Sequence, residues 1–211
     1  MKRNTLFAVL LLLALVALLA VPVAGQEDGG EEGGIIITST FGSGPDTLSQ
    51  VYCTGTDCAD LLSRMYVDLL QADPERAVIA PNQPGGLATG WEISDDLLTY
   101  TISMRDDMLW SDGTPITSTD VVLDWQLLND PLVEHPLAYL ADVIDSITVI
   151  DDYTIEVVMK DASCEALLDI GSMEVLPAHI YSQYMAEELA GADEINIAPP
   201  VTSGPFTFGE F

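Results

Sequence analysis

The chain has 211 residues, of which 34 are acidic and only 6 are basic, so its formal net charge is −28. A surface this acidic repels phosphate backbones and anionic lipid headgroups, which argues against nucleic-acid binding and against electrostatic attachment to a membrane. The length is sufficient for one domain with a sizeable core or for two small lobes.

The N-terminus has the pattern of a secretory signal peptide. Lys2 and Arg3 precede an apolar run over residues 6–24, and small residues follow the run. The run is also about long enough to span a bilayer, so a retained membrane anchor is the alternative. Because Pro22 and the small residues after it fit a cleavage site better, we expect residues 1–25 to be a signal peptide that directs the protein to the periplasm or the cell exterior.

The segment after the leader, QEDGGEEGG over residues 26–34, is polar, rich in glycine and without periodicity. This composition predicts a disordered acidic linker. The folded part is therefore expected to cover residues 35–211 and to begin with a short buried strand over residues 35–39.

The three cysteines of an exported protein allow at most one internal disulfide. Cys53 and Cys58 can close a short loop, and chain entropy assigns such a bridge about 2 kcal/mol. A metal site is the alternative for this pair, but His135 and His179 are the only histidines in the chain. We therefore expect a disulfide, no metal and no cofactor. Cys164 is expected to be a buried thiol on a helix.

Hydrophobic periodicity predicts a mixture of helices and strands. Apolar residues at helical spacing predict a helix over residues 59–70, and Asp57 can cap its start. Strict alternation in LTYTISM predicts a half-buried strand over residues 98–104. Residues 146–160 are typical of a β-hairpin, in which Ile147 and Val149 alternate toward one face. This pattern, which contains no repeat, predicts an α/β or mixed α+β fold.

The stretch WSDGTPIT, residues 110–117, is typical of a turn that leads into a helix. Asp112 and Gly113 favour the turn, and Thr117 stands three residues before Asp120, as in a capping box. The helix is expected to run to about Asn129. Two further helices and a final strand are predicted over residues 163–170, 177–190 and 203–211.

The sequence contains none of the common catalytic motifs, since G-x-S-x-G, H-E-x-x-H and the phosphate-binding loop do not occur. His135 is interpreted as a loop residue, and His179 as a residue that packs or forms a hydrogen bond. The adjacent aspartate pairs lack the spacing of an EF-hand and are interpreted as solvated turns. The sequence therefore offers little support for enzymatic chemistry.

From Leu87 onward, several motifs follow one another in a fixed order. They are LATGW, YTISMR, WSDGTP and DVVLDW, followed by VIDDYTIEV, LPAHIY and SGPFTF. The series resembles the extracellular solute-binding proteins of the peptide and nickel class, family 5, of ATP-driven importers. The resemblance implies a type II periplasmic-binding-protein-like fold, in which a small lobe is inserted into the first lobe. Because such proteins are commonly more than twice this length, it also implies that residues 35–211 form an N-terminal portion.

The resemblance implies a function without catalysis. Such a protein captures a peptide or a peptide-like solute by lobe closure and delivers it to the permease of an ABC transporter. The expected protein is a monomer outside the cytoplasm. A ligand-sensing domain of the same fold without transport remains an alternative, and so does a secreted hydrolase.

The resemblance also suggests ligand-binding residues. In peptide-binding members, the segment after the loop that follows the first strand offers backbone hydrogen bonds to the ligand, and in chain order this segment is Thr54, Gly55 and Thr56. A tyrosine of the small lobe approaches the ligand in some members, and Tyr139 is the nearest equivalent. The alternative for Thr54–Thr56 is a surface turn held by the disulfide.

Overall fold

The computed structural model describes residues 44–209. The predicted signal peptide, the predicted linker and the predicted strand over residues 35–39 lie outside the described residues. Between residues 44 and 209, no helix has the length and apolar character needed to cross a membrane.

Helices and strands alternate irregularly along the described part of the chain. The helices are α1 (Thr56–Met65), α2 (Ser118–Leu128), α3 (Leu140–Val143), α4 (Ala166–Gly171), α5 (Ala178–Tyr181), α6 (Ala186–Leu189) and α7 (Asp193–Asn196). The strands are β1 (Gln71–Asp73), β2 (Val78–Ala80), β3 (Ala88–Ile93), β4 (Thr99–Met104), β5 (Ile144–Asp151) and β6 (Thr154–Met159).

The main sheet has four antiparallel strands in the order β3-β4-β6-β5. Its central strands bury alternate residues, as the period of two predicts: Tyr100 and Ile102 in β4, and Ile155 and Val157 in β6. Strands β5 and β6 form the predicted hairpin. The prediction is wrong for Val149, which is 46% exposed, because β5 is an edge strand and this residue lies next to a register shift.

Helix α1 is shorter than the sequence predicts. It ends at Met65, after which Tyr66 has an extended backbone. Leu69 and Leu70 are buried as predicted, but they lie in an extended segment, and the carbonyl of Leu69 accepts the N–H of Ala88 at 3.0 Å. The hydrogen bond to the first residue of β3 therefore prevails over the helical spacing of apolar residues in this region.

The predicted helix over residues 177–190 is interrupted in the structure, where only the short helices α5 and α6 form. The chain restarts at Met185, whose N–H donates to the Glu188 carboxylate at 3.2 Å. This bond satisfies a donor at the start of a new helix, so the turn between the two helices is locally capped.

The predicted strand in SGPFTF does not form within residues 203–209. Instead, the N–H groups of Ser203 and Gly204 donate to the carbonyl of Met65 at 3.0 and 2.8 Å. A Cβ atom at residue 204 would lie 2.6 Å from the carbonyl oxygen of Arg64. Only glycine permits this close approach, and the contact fixes the segment at the end of α1 rather than in a sheet.

The helix predicted over residues 163–170 begins later, at Ala166. Cys164 precedes the helix and is exposed, so the expectation of a buried helical thiol is wrong. The spacing of apolar residues identified the helix, but it did not show which side of the preceding loop faces solvent.

The corner at residues 110–117 is a structural element, as the sequence predicts. Trp110 is buried and packs edge to face on Tyr66, with ring centroids 6.4 Å apart. Gly113 has a φ of +89°, a left-handed conformation that favours glycine. Thr117 then caps α2, and its N–H donates to the Asp120 carboxylate at 2.7 Å.

The Asp120 carboxylate also reaches a distant part of the chain. Its second oxygen accepts the N–H of Ala178 at 2.9 Å, so one buried side chain caps α2 and holds the start of α5. Burial raises the pKa of Asp120, although both N–H groups oppose this effect.

We predict that Asp120→Ala lowers the free energy of unfolding by about 2 kcal/mol, because two N–H groups lose their acceptor at a buried site. Urea unfolding followed by circular dichroism measures this change. Asp106→Ala is the matched control, since Asp106 is exposed. Equal stability of the two variants would contradict the assigned role of Asp120.

Candidate functional site

The predicted ligand-binding segment lies at the start of α1, where Thr54 and Gly55 precede the helix and Thr56 is its first residue. The sulfur atoms of Cys53 and Cys58 are 2.03 Å apart, as in a disulfide, and the two Cα atoms are separated by 5.9 Å. Thr54, Gly55 and Thr56 lie between them and are exposed. We call residues 53–58 the disulfide loop.

The main chain of the disulfide loop has unused hydrogen-bonding capacity. No partner within residues 44–209 bonds to the N–H or the carbonyl of Thr54. The N–H groups of Thr56 and Asp57 lie in the first turn of α1, where a helix provides no acceptor. The loop therefore presents main-chain donors to the solvent, where a ligand can reach them.

A wide, open concavity of about 630 Å³ lies beside the disulfide loop, a volume within the usual range for ligand sites. Its lining consists of Cys53, Thr54, Gly55, Thr56, Ala59, Pro136 and Leu137. None of these side chains is charged. We call this space the loop concavity.

Tyr139 does not line the loop concavity. Its side chain is 51% exposed and borders a separate concavity of about 310 Å³. Four carboxylates share that second space, those of Asp142, Asp161, Glu165 and Asp169. The structure therefore does not bring Tyr139 into one concavity with Thr54, and the role of Tyr139 in binding stays a prediction.

The sequence did not reveal the setting of His135. It lies in a loop, as predicted, but its side chain is fully buried. Its Nε2 atom lies 3.1 Å from an Asp124 carboxylate oxygen, and its Nδ1 atom accepts the N–H of Leu137 at 3.1 Å. Because Nδ1 accepts a hydrogen bond, the proton is on Nε2, which donates to Asp124. The one signal in the sequence was Asp124 itself, a carboxylate among the apolar residues of α2.

Asp124 also joins this histidine to a third concavity. Its other carboxylate oxygen accepts the N–H of Glu174 at 3.0 Å, and the Glu174 side chain accepts from the Gln50 amide at 3.1 Å. Glu174 lines a space of about 200 Å³ together with Asp68 and Cys53. Cys53 and Ala59 line both this space and the loop concavity, so the two spaces adjoin each other.

Burial controls the acid–base behaviour of this third concavity. Burial, followed by the nearby charge of Asp124, raises the pKa of Glu174 to about 8. Burial also raises the pKa of Asp68. At neutral pH, Glu174 is therefore mainly protonated.

His179 and Asp112 belong to the corner at residues 110–117. The His179 Nε2 atom lies 2.9 Å from an Asp112 carboxylate oxygen, and its ring packs near that of Trp110 with centroids 6.3 Å apart. The hydrogen bond that the Thr114 N–H donates to Asp112 is the main cause of the lowered pKa of Asp112. His179 therefore packs and forms a hydrogen bond, as predicted. The aspartates at 95/96, 106/107 and 151/152 are exposed, also as predicted.

The described side chains contain no grouping that suggests metal chemistry. Within residues 44–209, no set of three or more His, Cys, Asp or Glu residues is placed to hold a metal ion. What these residues do present is an open concavity lined by uncharged side chains and by main-chain donors, an arrangement suited to ligand binding.

Comparison with known proteins identifies the family. Residues 83–211 match the family model described as bacterial extracellular solute-binding proteins, family 5 Middle, and the chain belongs to this family. It is a family of binding proteins and not of enzymes, so the prediction of a non-enzymatic protein is confirmed.

Curated relatives and a solved structure agree with this assignment. The chain is 32% identical to the periplasmic murein peptide-binding protein MppA of Escherichia coli over 97 residues, which are 46% of this chain and 17% of that protein. It is 29% identical to the periplasmic oligopeptide-binding protein OppA of Haemophilus influenzae over 171 residues, which cover 73% of this chain and 30% of that protein.

The solved structure shows the fold. The oligopeptide-binding protein AppA of Bacillus subtilis, in complex with a nonapeptide, superimposes with a TM-score of 0.70 at 22% identity. The match covers 80% of this chain and 32% of AppA. The mixed α/β structure is therefore a portion of the oligopeptide-binding-protein fold, as the sequence predicted. The chain spans about a third of the length of AppA, and its matches cover 17% of MppA and 30% of OppA.

We predict that stability falls between about pH 5 and pH 8 because of Glu174. In this window the unfolded chain has released the proton that the folded chain still holds, so raising the pH favours unfolding, with a slope of at most about 1.4 kcal/mol per pH unit. Glu174→Gln is expected to flatten this slope in urea titrations, whereas Glu75→Gln, an exposed control, is expected to retain it. The same slope in both variants would contradict the assignment.

Proposed function

We propose that this protein is the extracytoplasmic binding component of an ABC importer and that it captures a peptide or a peptide-like solute. The disulfide loop contacts the ligand main chain, and the loop concavity accommodates part of the ligand. The protein acts by equilibrium binding, and a membrane permease receives the solute. Residues 1–25 direct export, and the monomer works outside the cytoplasm.

The observation that carries this proposal is the main chain of Thr54, which has no hydrogen-bond partner within residues 44–209 and lies beside a concavity whose described lining residues are uncharged. A peptide has an N–H and a carbonyl at each residue, and an exposed protein segment can pair with these groups without reading the side chains. The family membership supports the proposal, because MppA, OppA and AppA are named for peptide binding.

The disulfide lowers the cost of this contact. An exposed loop loses conformational freedom when it binds, and a crosslink restricts that freedom before the ligand arrives. Cys53 and Cys58 enclose only four residues, so the main-chain donors of Thr54 and Gly55 are held near their binding positions.

Tyr139 is proposed as a second contact for longer ligands. Its exposed ring borders a concavity lined by carboxylates, which suits a positively charged group on the ligand. Because this space is separate from the loop concavity, we do not expect short peptides to depend on Tyr139.

The proposal predicts that a proline at position 54 weakens peptide binding. Thr54→Pro removes the N–H of this residue, and the loss of one hydrogen bond lowers affinity by about three- to tenfold. Thr54→Ala keeps the N–H and is expected to bind as the unchanged protein does. Isothermal titration calorimetry with tri- to pentapeptides measures both variants.

A loss of binding that is equal in the two Thr54 variants would show that the side chain matters and not the main chain. If the unchanged protein binds no member of the peptide series, peptide capture itself is contradicted. Thermal unfolding of each variant separates lost affinity from lost structure.

A further inference from the structure

The loop concavity differs in charge from its two neighbours. The concavity beside Tyr139 carries four carboxylates, and the one beside Glu174 also carries Asp68. None of the described residues that line the loop concavity is acidic, although the whole chain has 34 acidic residues. The side-chain surface of this concavity comes mainly from Ala59, Pro136 and Leu137, which are apolar.

We propose that the loop concavity is a specificity pocket for one apolar side chain of the bound peptide. This inference rests on the proposed peptide capture and adds the kind of residue that the site prefers. Burial of apolar surface from both partners favours such a side chain, whereas a charged one would lose hydration without gaining a partner.

The placement of the loop supports this ligand class. Thr54, Gly55 and Thr56 line the concavity together with Pro136 and Leu137. A peptide whose main chain pairs with Thr54 places a neighbouring side chain over the concavity, because the main chain and the side chain of one residue are only a few ångströms apart.

His135 is a positioning residue for the apolar wall. It does not line the concavity, but its Nδ1 atom holds the N–H of Leu137, and its other nitrogen is fixed on the buried carboxylate of Asp124. Asp124 in turn belongs to α2. The wall is therefore attached to a helix of the core through two hydrogen bonds, although it belongs to a loop.

The test uses a tetra-alanine peptide and its four single-leucine variants as probes, with calorimetry on the purified protein. We expect at least one leucine peptide to bind about tenfold more tightly than tetra-alanine, given the apolar area that a leucine adds. Lysine and glutamate at the same position are expected to give no gain.

The protein variants locate the effect. Leu137→Ser is expected to remove most of the leucine preference and to weaken tetra-alanine binding much less than the binding of the leucine peptide. Leu132→Ser is the matched control, because Leu132 is 61% exposed in the same loop region and does not line the concavity. We expect this control to keep the full preference.

His135→Ala tests the positioning role through the same ratio. If His135 has only a structural role, His135→Ala lowers thermal stability and leaves the ratio of the leucine-peptide affinity to the tetra-alanine affinity unchanged in the folded protein. We expect the ratio to fall. Because this variant removes one of the two partners of the buried Asp124 carboxylate and can unfold, Leu137→Ser provides the test that does not depend on it.

The possible failures are distinguishable. If tetra-alanine and all leucine peptides bind equally, the apolar pocket is overturned and peptide capture stands. A leucine preference that survives Leu137→Ser also overturns the pocket. If no peptide binds at all, the proposed function falls, and the pocket falls with it.

Discussion

Two buried carboxylates of α2, those of Asp120 and Asp124, hold the described structure together. They lie one helical turn apart, and each is at most 3% exposed. Buried carboxylates are costly unless hydrogen bonds compensate for the lost water. Here each carboxylate has two partners: Thr117 and Ala178 for Asp120, and His135 and Glu174 for Asp124.

Two of these four contacts connect α2 to segments that are distant in the sequence. Ala178 is 58 residues from Asp120, and Glu174 is 50 residues from Asp124. The contact with His135 fixes one wall of the loop concavity, whereas the contact with Glu174 fixes part of the adjoining space. The same helix that anchors the core therefore also determines the shape of the proposed binding surface.

The sequence predicted those features whose causes are local. The capping of α2 by Thr117 and Asp120, the turn at Gly113 and the alternation in β4 each depend on a few neighbouring residues. The early end of α1 and the position of residue 204 could not be predicted in this way, since both depend on contacts with distant segments. The burial of His135 has the same cause, because its partner Asp124 is on another element.

The proposed binding residues likewise include some that the sequence indicated and some that only the structure revealed. The family resemblance indicated Thr54–Thr56, and the structure places these residues beside an open concavity with unused main-chain donors. It did not indicate Pro136 and Leu137, which reach the concavity only because the chain returns to the disulfide loop after α2. Motif order therefore located one part of the proposed site, and tertiary packing provided the other.

The central claim is that the main chain of the disulfide loop binds the ligand, and amide hydrogen exchange tests it most directly. The account predicts that a bound peptide slows exchange at the N–H groups of Thr54, Gly55 and Thr56, while the exposed turn at Asp95 and Asp96 exchanges as before. Peptide binding that leaves the exchange of the three loop amides unchanged would contradict the claim.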